Sequence, residues 1–247
     1  HLRNRRQRQM CIRDRLSSSG HGFSGISRQA LLDILAARAE SLGVSLHFEA
    51  QIEQPLVTLD ADLIVAADGI FSKTRDAYSE RFEPDIDWRR CRYVWLGTDK
   101  LFDAFTFIFE ETEFGWFQAH CYRFAEDTST FIVECPEEVW RAAGLEAAST
   151  EEGIEFCEKL FAKYLDGHRL RSNAAHLRGS SVWISFPRVN CAKWHHDKLV
   201  LLGDAAASAH FSIGSGTKLA MESAIALAEV VAEEQDIPVS YTHLTLP

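Results

Sequence analysis

The chain has 247 residues, of which 46% are hydrophobic and 11% aromatic, enough for the core of one large or two small domains. Its formal net charge of −10 argues against a nucleic-acid partner. No apolar run approaches the roughly 18 residues that cross a bilayer, so we predict a globular, soluble protein without a membrane partner.

The two ends of the chain differ from the rest. Residues 1–15 hold six arginines and one aspartate without an apolar segment behind them, so we do not interpret them as a secretory signal. They could be a basic arm for nucleic acid. However, QRQMCIRDR (7–15) and VSYTHLTLP (239–247) resemble translated sequencing-adapter sequence, so we predict non-native tails at 1–15 and 238–247. Without these tails the net charge is −15.

Residues 20–25, GHGFSG, spell the dinucleotide fingerprint Gly-x-Gly-x-x-Gly. No strand precedes them and no acidic ribose partner closes a βαβ unit behind them, so we do not assign them to a pyrophosphate loop. Apolar residues at helical spacing then predict a helix that Ser27 caps and Gly43 ends. A strand is predicted at 44–48.

The next predicted strand ends at Asp68-Gly69, within residues 61–75. Arg75 follows the aspartate by seven residues, which lets its guanidinium reach a pyrophosphate through charge-assisted hydrogen bonds. A surface turn with a solvated arginine is the alternative.

The pattern changes to alternation between residues 93 and 135, which predicts an antiparallel sheet. Helices are predicted around 136–143 and 150–165, followed by a strand at 181–186. This part of the chain is therefore inserted between two pieces of an α/β layer.

A short apolar run at 199–202 predicts a strand buried on both faces. Gly203 and Asp204 end it, at the edge where open α/β sheets bind ligands, and a carboxylate there can accept hydrogen bonds from ribose or ribityl hydroxyls. Gly214-Ser215-Gly216 then brings backbone N–H groups close to a ligand.

A helix follows the glycines, and its positive end would stabilise the negative charge that reduced flavin carries around N1 and the C2 carbonyl. A strand, turn and helix without a ligand is the alternative.

The Asp68-Gly69 and Gly203-Asp204 motifs, about 135 residues apart, together with ISRQALL at 26–32, resemble the FAD-dependent aromatic hydroxylase family, the single-component flavoprotein monooxygenases. The resemblance covers roughly residues 20–236. Through GWFQAHCYRF (115–124) and AHFSIGSGTKLAM (209–221) the chain is most similar to the 2-aminobenzoyl-CoA monooxygenases and salicylyl-CoA 5-hydroxylases within that family.

The resemblance implies an α/β fold, in which an FAD-binding Rossmann-like domain of the glutathione-reductase type carries an inserted antiparallel-sheet substrate domain. The FAD-binding domain would comprise residues 16–87 and 187–237, and the substrate domain residues 88–186. The family's fingerprint would lie before the chain begins, so we expect a fragment without its first βαβ unit.

The resemblance also implies which residues bind FAD. They are Arg28, Asp68, Gly69, Arg75, Gly203, Asp204, Ala206, Gly214, Ser215, Gly216, Thr217 and Lys218. Arg28 would face the flavin diphosphate from a helix start.

The chemistry implied is reduction of FAD by NAD(P)H, addition of oxygen at flavin C4a, and hydroxylation of an electron-rich aromatic ring by the resulting hydroperoxide. The substrate would be an aryl-CoA thioester. His120, Tyr122 and His210 are candidates for activating a phenol or aniline, with packing or surface roles as the alternative. Coenzyme A phosphates would need local basic residues, either Arg89, Arg90 and Arg92 or Arg169 and Arg171.

Two other functions stay open. A flavin reductase or halogenase shares the fold, and fold does not fix function. A non-catalytic flavin-binding module is supported by Ala207, where most family members carry histidine.

Six cysteines without a Cys-x-x-Cys pair are typical of reduced thiols, so we predict a cytoplasmic protein. Cys191, His195 and His196 match no zinc spacing, and we predict no metal site.

Overall fold

The computed structural model describes residues 25–53, 56–172, 183–210 and 215–233. A small sheet contains three strands, β1 (Ile64–Ala66), β9 (His195–His196) and β10 (Leu199–Leu201), in the order β1-β10-β9. All of β10 is buried, which confirms the strand predicted there. Because β1 and β10 run parallel, the chain leaves both at the same edge of the sheet, bringing Asp68 and Asp204 to that edge.

Two helices belong to this part of the fold. Helix α1 (Arg28–Ser41) begins as predicted, because the Ser27 side chain accepts a hydrogen bond from the Ala30 N–H at 3.2 Å. Gly43 ends it with φ at +84°. The long α7 (Gly216–Glu233) follows the second motif, and its Leu227 packs against Val200.

The strand predicted at 44–48 is wrong. These residues form no strand, and Val44 and Phe48 are exposed. No described strand lies beside them to pair with their backbone, and β propensity alone does not make a strand.

A five-stranded antiparallel sheet confirms the alternation between 93 and 135. Its spatial order is β4-β5-β6-β3-β7. The strands are β3 (Cys91–Thr98), β4 (Thr106–Thr112), β5 (Gly115–Arg123), β6 (Ser129–Pro136) and β7 (Leu170–Ser172).

One face of this sheet packs against three helices, which are α4 (Glu137–Ala142), α5 (Thr150–Leu160) and α6 (Ala162–Leu165). Together they bury the largest apolar cluster, in which Phe117, Phe131 and Phe161 have no exposed surface. Alternate residues of the strands point the other way and form the open face of the sheet, where Phe107, Phe109 and Trp116 are exposed.

A short antiparallel pair joins the two sheets, formed by β2 (Pro84–Trp88) and β8 (Pro187–Cys191). The strand predicted at 181–186 is therefore misplaced. Ile184 makes one isolated bridge with Tyr93, and the continuous ladder begins at Pro187, opposite Trp88. Residues 181–182 lie outside the described part.

The elements also include α2 (Lys73–Ala77) and α3 (Ser79–Phe82), which follow β1. None of the described helices combines the length and the apolar character needed to cross a membrane.

Candidate functional site

Arg75 connects the loop of the Asp68-Gly69 motif to the loop of the Gly203-Asp204 motif. Its guanidinium donates to the carbonyl of Ala205 at 3.3 Å and to that of Ile70 at 2.9 Å. The residue is only 2% exposed, so the alternative of a solvated surface arginine is wrong. The contacts show a buried clamp that fixes the loop after β1 against the loop after β10.

Asp68 also acts within its own loop. One carboxylate oxygen accepts from the Ser72 hydroxyl, and the other accepts from the Thr74 N–H at 3.0 Å. Burial works to raise the pKa of Asp68, but these hydrogen bonds lower it below its ordinary value. The carboxylate therefore orders the turn that begins at Gly69, whose φ is +82°.

Asp204 differs from Asp68 in this respect. It lies half-buried on a 3₁₀ turn, Gly203–Ala205, and no hydrogen bond connects its carboxylate to another described residue. Burial raises the pKa of Asp204, while the positive charge of Arg28 partly opposes that rise. Arg28 and Asp204 therefore lie near enough for their charges to interact. Together they offer a ligand one cation and one hydrogen-bond acceptor.

The start of α7 supplies backbone donors. Its first intrahelical bond runs from the Leu219 N–H to the Ser215 carbonyl at 2.8 Å, so the N–H groups of Gly216, Thr217 and Lys218 precede the helical ladder. A side chain at Gly216 would meet nothing within 4 Å, which leaves room for a ligand. The predicted Gly214 lies outside the described residues.

Two other predicted residues shape the scaffold. Gly203 has a φ of +58°, and a Cβ there would approach the Cβ of Ala220 to 3.1 Å, so glycine permits α7 to lie close. Ala206 is fully buried, and its carbonyl accepts from the Cys191 N–H. Lys218 is exposed and hydrogen-bonds Glu222 one helical turn away.

Taken together, these groups fit a flavin dinucleotide. A cation suits a diphosphate, and a carboxylate that accepts no hydrogen bond from the described residues suits the hydroxyls of a ribityl or ribose unit. A helix N-terminus suits the negative end of a flavin ring. Arg28, Asp204 and the first turn of α7 are therefore the residues that could hold FAD.

A polar cluster lies on the open face of the five-stranded sheet, centred on Glu134. Gln118 donates to one carboxylate oxygen of Glu134 at 3.0 Å, and His120 Nε2 lies 3.6 Å from the same oxygen. His210 Nε2 lies 3.7 Å from the other oxygen, and Cys91 Sγ lies 3.6 Å from His210 Nε2. We call these five residues the Glu134 cluster.

The cluster unites two of the three predicted catalytic candidates, His120 and His210. Tyr122 lies apart from it and stacks on Phe105 at a centroid distance of 5.3 Å, beside an open cavity of about 850 Å³. Sequence reasoning missed Glu134. The pairing of β5 with β6, which the structure shows, places Glu134 directly opposite Gln118.

The protonation states within the cluster differ. Burial would raise the pKa of Glu134, but hydrogen bonds from His120, Cys91 and Gln118 lower it. Burial lowers the pKa of His210, and burial together with Glu134 raises that of Cys91 to about 11. Near neutral pH the cluster therefore holds an ionised carboxylate, a neutral His210 imidazole and a protonated thiol, which suits acceptance of a proton.

Cys91, Glu134 and His210 also place three donor atoms within 4.8 Å of one another, as a metal site would require. A tetrahedral zinc site needs a fourth ligand, and the grouping found among the described residues contains these three alone. Cys191, His195 and His196, which the sequence analysis considered, are not grouped as metal ligands in the described part of the chain. Cys191 is buried beside the Ala205 carbonyl.

We predict that Glu134→Gln lowers the free energy of unfolding by about 1–2 kcal/mol at pH 7, because hydrogen bonds to an ionised group are lost. A lowered carboxyl pKa stabilises the fold above its ordinary value of 4.5, and this contribution disappears as the pH falls through the folded-state pKa. The difference between wild type and variant in urea unfolding should therefore shrink on acidification.

Glu155→Gln is the control for this comparison, since Glu155 is exposed and, among the residues that the structure describes, forms its ion pair with Lys159 on the surface of α5. The free energy of unfolding of this variant should stay within about 0.5 kcal/mol of the wild-type value at every pH. A pH-independent difference for Glu134→Gln would contradict the assignment of an ionised carboxylate.

The fold and the site are those of a flavin-binding α/β protein that also contains an antiparallel sheet. Residues 5–236 match the family model described as "FAD binding domain". The chain belongs to this FAD-binding monooxygenase family.

Its relatives include salicyloyl-CoA 5-hydroxylase of a Streptomyces species, 38% identical over 87% of this chain and 42% of that protein. Protodeoxyviolaceinate monooxygenase of Chromobacterium violaceum is 37% identical over 90% of this chain and 59% of that protein. The chain thus spans about half the length of these relatives.

A tetrameric form of 2-methyl-3-hydroxypyridine-5-carboxylic acid oxygenase has the same fold. Its TM-score is 0.67 at 21% identity, covering 88% of this chain and 60% of that structure. This likeness confirms the predicted α/β fold with an antiparallel sheet.

Proposed function

We propose that the protein containing this chain is an FAD-dependent monooxygenase that hydroxylates an electron-rich aromatic ring carried as a coenzyme A thioester, with NAD(P)H as the reductant. The observation that carries the proposal is the path of the loop after β10. We call the edge of the small sheet where β1 and β10 end the cofactor edge, and Asp204 lies there. Six residues later His210 reaches Glu134 on the five-stranded sheet. One loop therefore connects the cofactor edge to a proton-accepting cluster.

In this proposal Arg28 binds the FAD diphosphate, Asp204 accepts hydrogen bonds from cofactor hydroxyls, and the start of α7 faces the flavin ring. Bound FAD supplies the oxygen activation. Arg75 and Asp68 hold the loops in place through the contacts described above. We also propose that residues 88–186 form the substrate domain.

The Glu134 cluster would act on the substrate. His210 is held neutral beside a carboxylate, so it can accept the proton of a ring hydroxyl or a hydrogen bond from a ring amino group. Either interaction makes the ring more electron-rich and easier to hydroxylate. The exposed Phe107, Phe109 and Trp116 on the same sheet face offer apolar surface to an aromatic ring.

A coenzyme A thioester as the substrate is supported by a relative of 38% identity that is named salicyloyl-CoA 5-hydroxylase. The test is NAD(P)H oxidation by the FAD-loaded protein with salicyloyl-CoA, 2-aminobenzoyl-CoA and the two free acids. We expect each thioester to stimulate oxidation and to yield one hydroxylated product per NAD(P)H, and the free acids to do neither.

Two outcomes would contradict the proposal. NAD(P)H oxidation without hydroxylated product would favour a reductase, or a halogenase if added halide is incorporated. Bound flavin that NAD(P)H never reduces would favour the non-catalytic module that Ala207 suggests.

A further inference from the structure

A second cavity, of about 640 Å³, lies at the end of the five-stranded sheet, between the loop after β1 and the start of β3. Aromatic and basic side chains line it. They include Phe71, Trp88, Arg89, Arg90, Tyr93 and Phe186. We call this cavity the arginine groove.

The aromatic wall of the groove is open. Phe71 and Trp88 stack with ring centroids 6.4 Å apart and an interplanar angle of 28°, yet they are 70% and 56% exposed. Two large rings held together in water present an apolar surface on which a planar heterocycle can stack.

Its charges favour an anion. Arg90 makes no ion pair with any residue in the described part of the chain, although its charge acts on the Glu137 carboxylate that also lines the groove. Arg89 pairs with Asp87 at an exposed position, where such pairs contribute little. Arg92 differs, because Glu137 and the ring of Trp140 already engage it. Arg89 and Arg90 are thus available to phosphate, although the whole chain is acidic.

The groove also leads to the Glu134 cluster. Tyr93 in its wall lies directly opposite Glu134 across β3 and β6. Phe186 in the same wall contacts the ring of His210 at 5.5 Å. A ligand with its aromatic ring at the cluster can therefore extend along the groove toward Arg89 and Arg90.

We propose that the arginine groove binds the phosphorylated adenosine diphosphate end of a coenzyme A thioester, with the adenine on Phe71 and Trp88 and the phosphates on Arg89 and Arg90. This inference rests on the proposed function, because it places the thioester's ring at the Glu134 cluster. It identifies the coenzyme as the part of the substrate that the groove recognises.

The test is calorimetric titration of the protein with free coenzyme A, pantetheine and 3′,5′-ADP, which needs no turnover. We expect coenzyme A and 3′,5′-ADP to bind and pantetheine to bind much more weakly. Each arginine should contribute about tenfold, so Arg89→Ala with Arg90→Ala should weaken coenzyme A about a hundredfold.

The matched control is Arg169→Ala with Arg171→Ala, a second pair of exposed arginines at the start of β7, beside the opposite end of β3 from the groove. Their ion-pair partners are Glu158 and Asp99. Coenzyme A affinity should not change in this variant, and thermal melts should show that both double variants remain folded. Trp88→Ala should weaken 3′,5′-ADP, whereas Trp88→Phe should retain most of the affinity.

The inference and the proposed function can fail separately. Unchanged coenzyme A affinity in Arg89→Ala/Arg90→Ala, or a raised KM for NAD(P)H with an unchanged KM for the thioester, would overturn the groove assignment while hydroxylation continued. Absence of hydroxylation of any thioester by wild type would overturn the function, even if coenzyme A bound in the groove.

Discussion

Asp204→Ala is expected to leave the protein folded but unable to retain FAD. The carboxylate has no hydrogen-bond donor among the described residues, and its burial raises its pKa, so the fold gains little from its charge. A cofactor hydroxyl that donates to it would gain a charge-assisted hydrogen bond, a type worth about 1.5–3 kcal/mol. Flavin absorbance per mole of purified protein measures the loss, and urea unfolding of the FAD-free protein should be unchanged.

Asp62→Ala is the matched control for this experiment. Asp62 is an exposed aspartate just before β1, at the opposite end of the same sheet from Asp204. Its variant should retain FAD at the wild-type level. An Asp204→Ala protein that is still fully yellow after gel filtration would show that the cofactor does not use this carboxylate.

The strands of the cofactor edge could be predicted because their signal is local. A run of four apolar residues ending in Gly-Asp describes a buried strand and its exit without knowledge of its neighbours. The strands predicted at 44–48 and 181–186 failed because a strand also needs a partner. Residues 44–48 have none in the described structure, and the actual strand β8 is placed by its register against β2.

The site shows the same limit. The family resemblance implied that Asp68 and Arg75 belong to the same FAD site as Gly203-Asp204, and the structure brings Arg75 to the Ala205 carbonyl beside that second motif. The sequence could not predict that both side chains would form hydrogen bonds within the protein. Asp68 accepts from the Ser72 hydroxyl, and Arg75 donates to the carbonyls of Ile70 and Ala205. Glu134 was not predicted, because an acidic residue in an alternating strand is usually a solvent-exposed residue. Only the cross-strand register places His120 and Gln118 beside it.

Arg75→Ala is expected to lower the free energy of unfolding by about 3 kcal/mol or more. The change leaves the carbonyls of Ile70 and Ala205 without their donor, and an unsatisfied buried acceptor costs about 1–3 kcal/mol. Arg75→Lys should fall between wild type and alanine, because one ammonium cannot reproduce a guanidinium fork that reaches two loops. Urea unfolding measures both, with the exposed Lys73→Ala as the control.

The relation between stability and flavin content separates the two roles open to Arg75. As a clamp, it affects FAD only by holding the two loops together, so stability and flavin retention should fall in parallel from wild type through lysine to alanine. As a direct pyrophosphate ligand, it would act like Asp204, and Arg75→Ala would lose flavin with unchanged unfolding. That second result would contradict the clamp, because 2% exposure and two carbonyl contacts leave the guanidinium engaged within the protein.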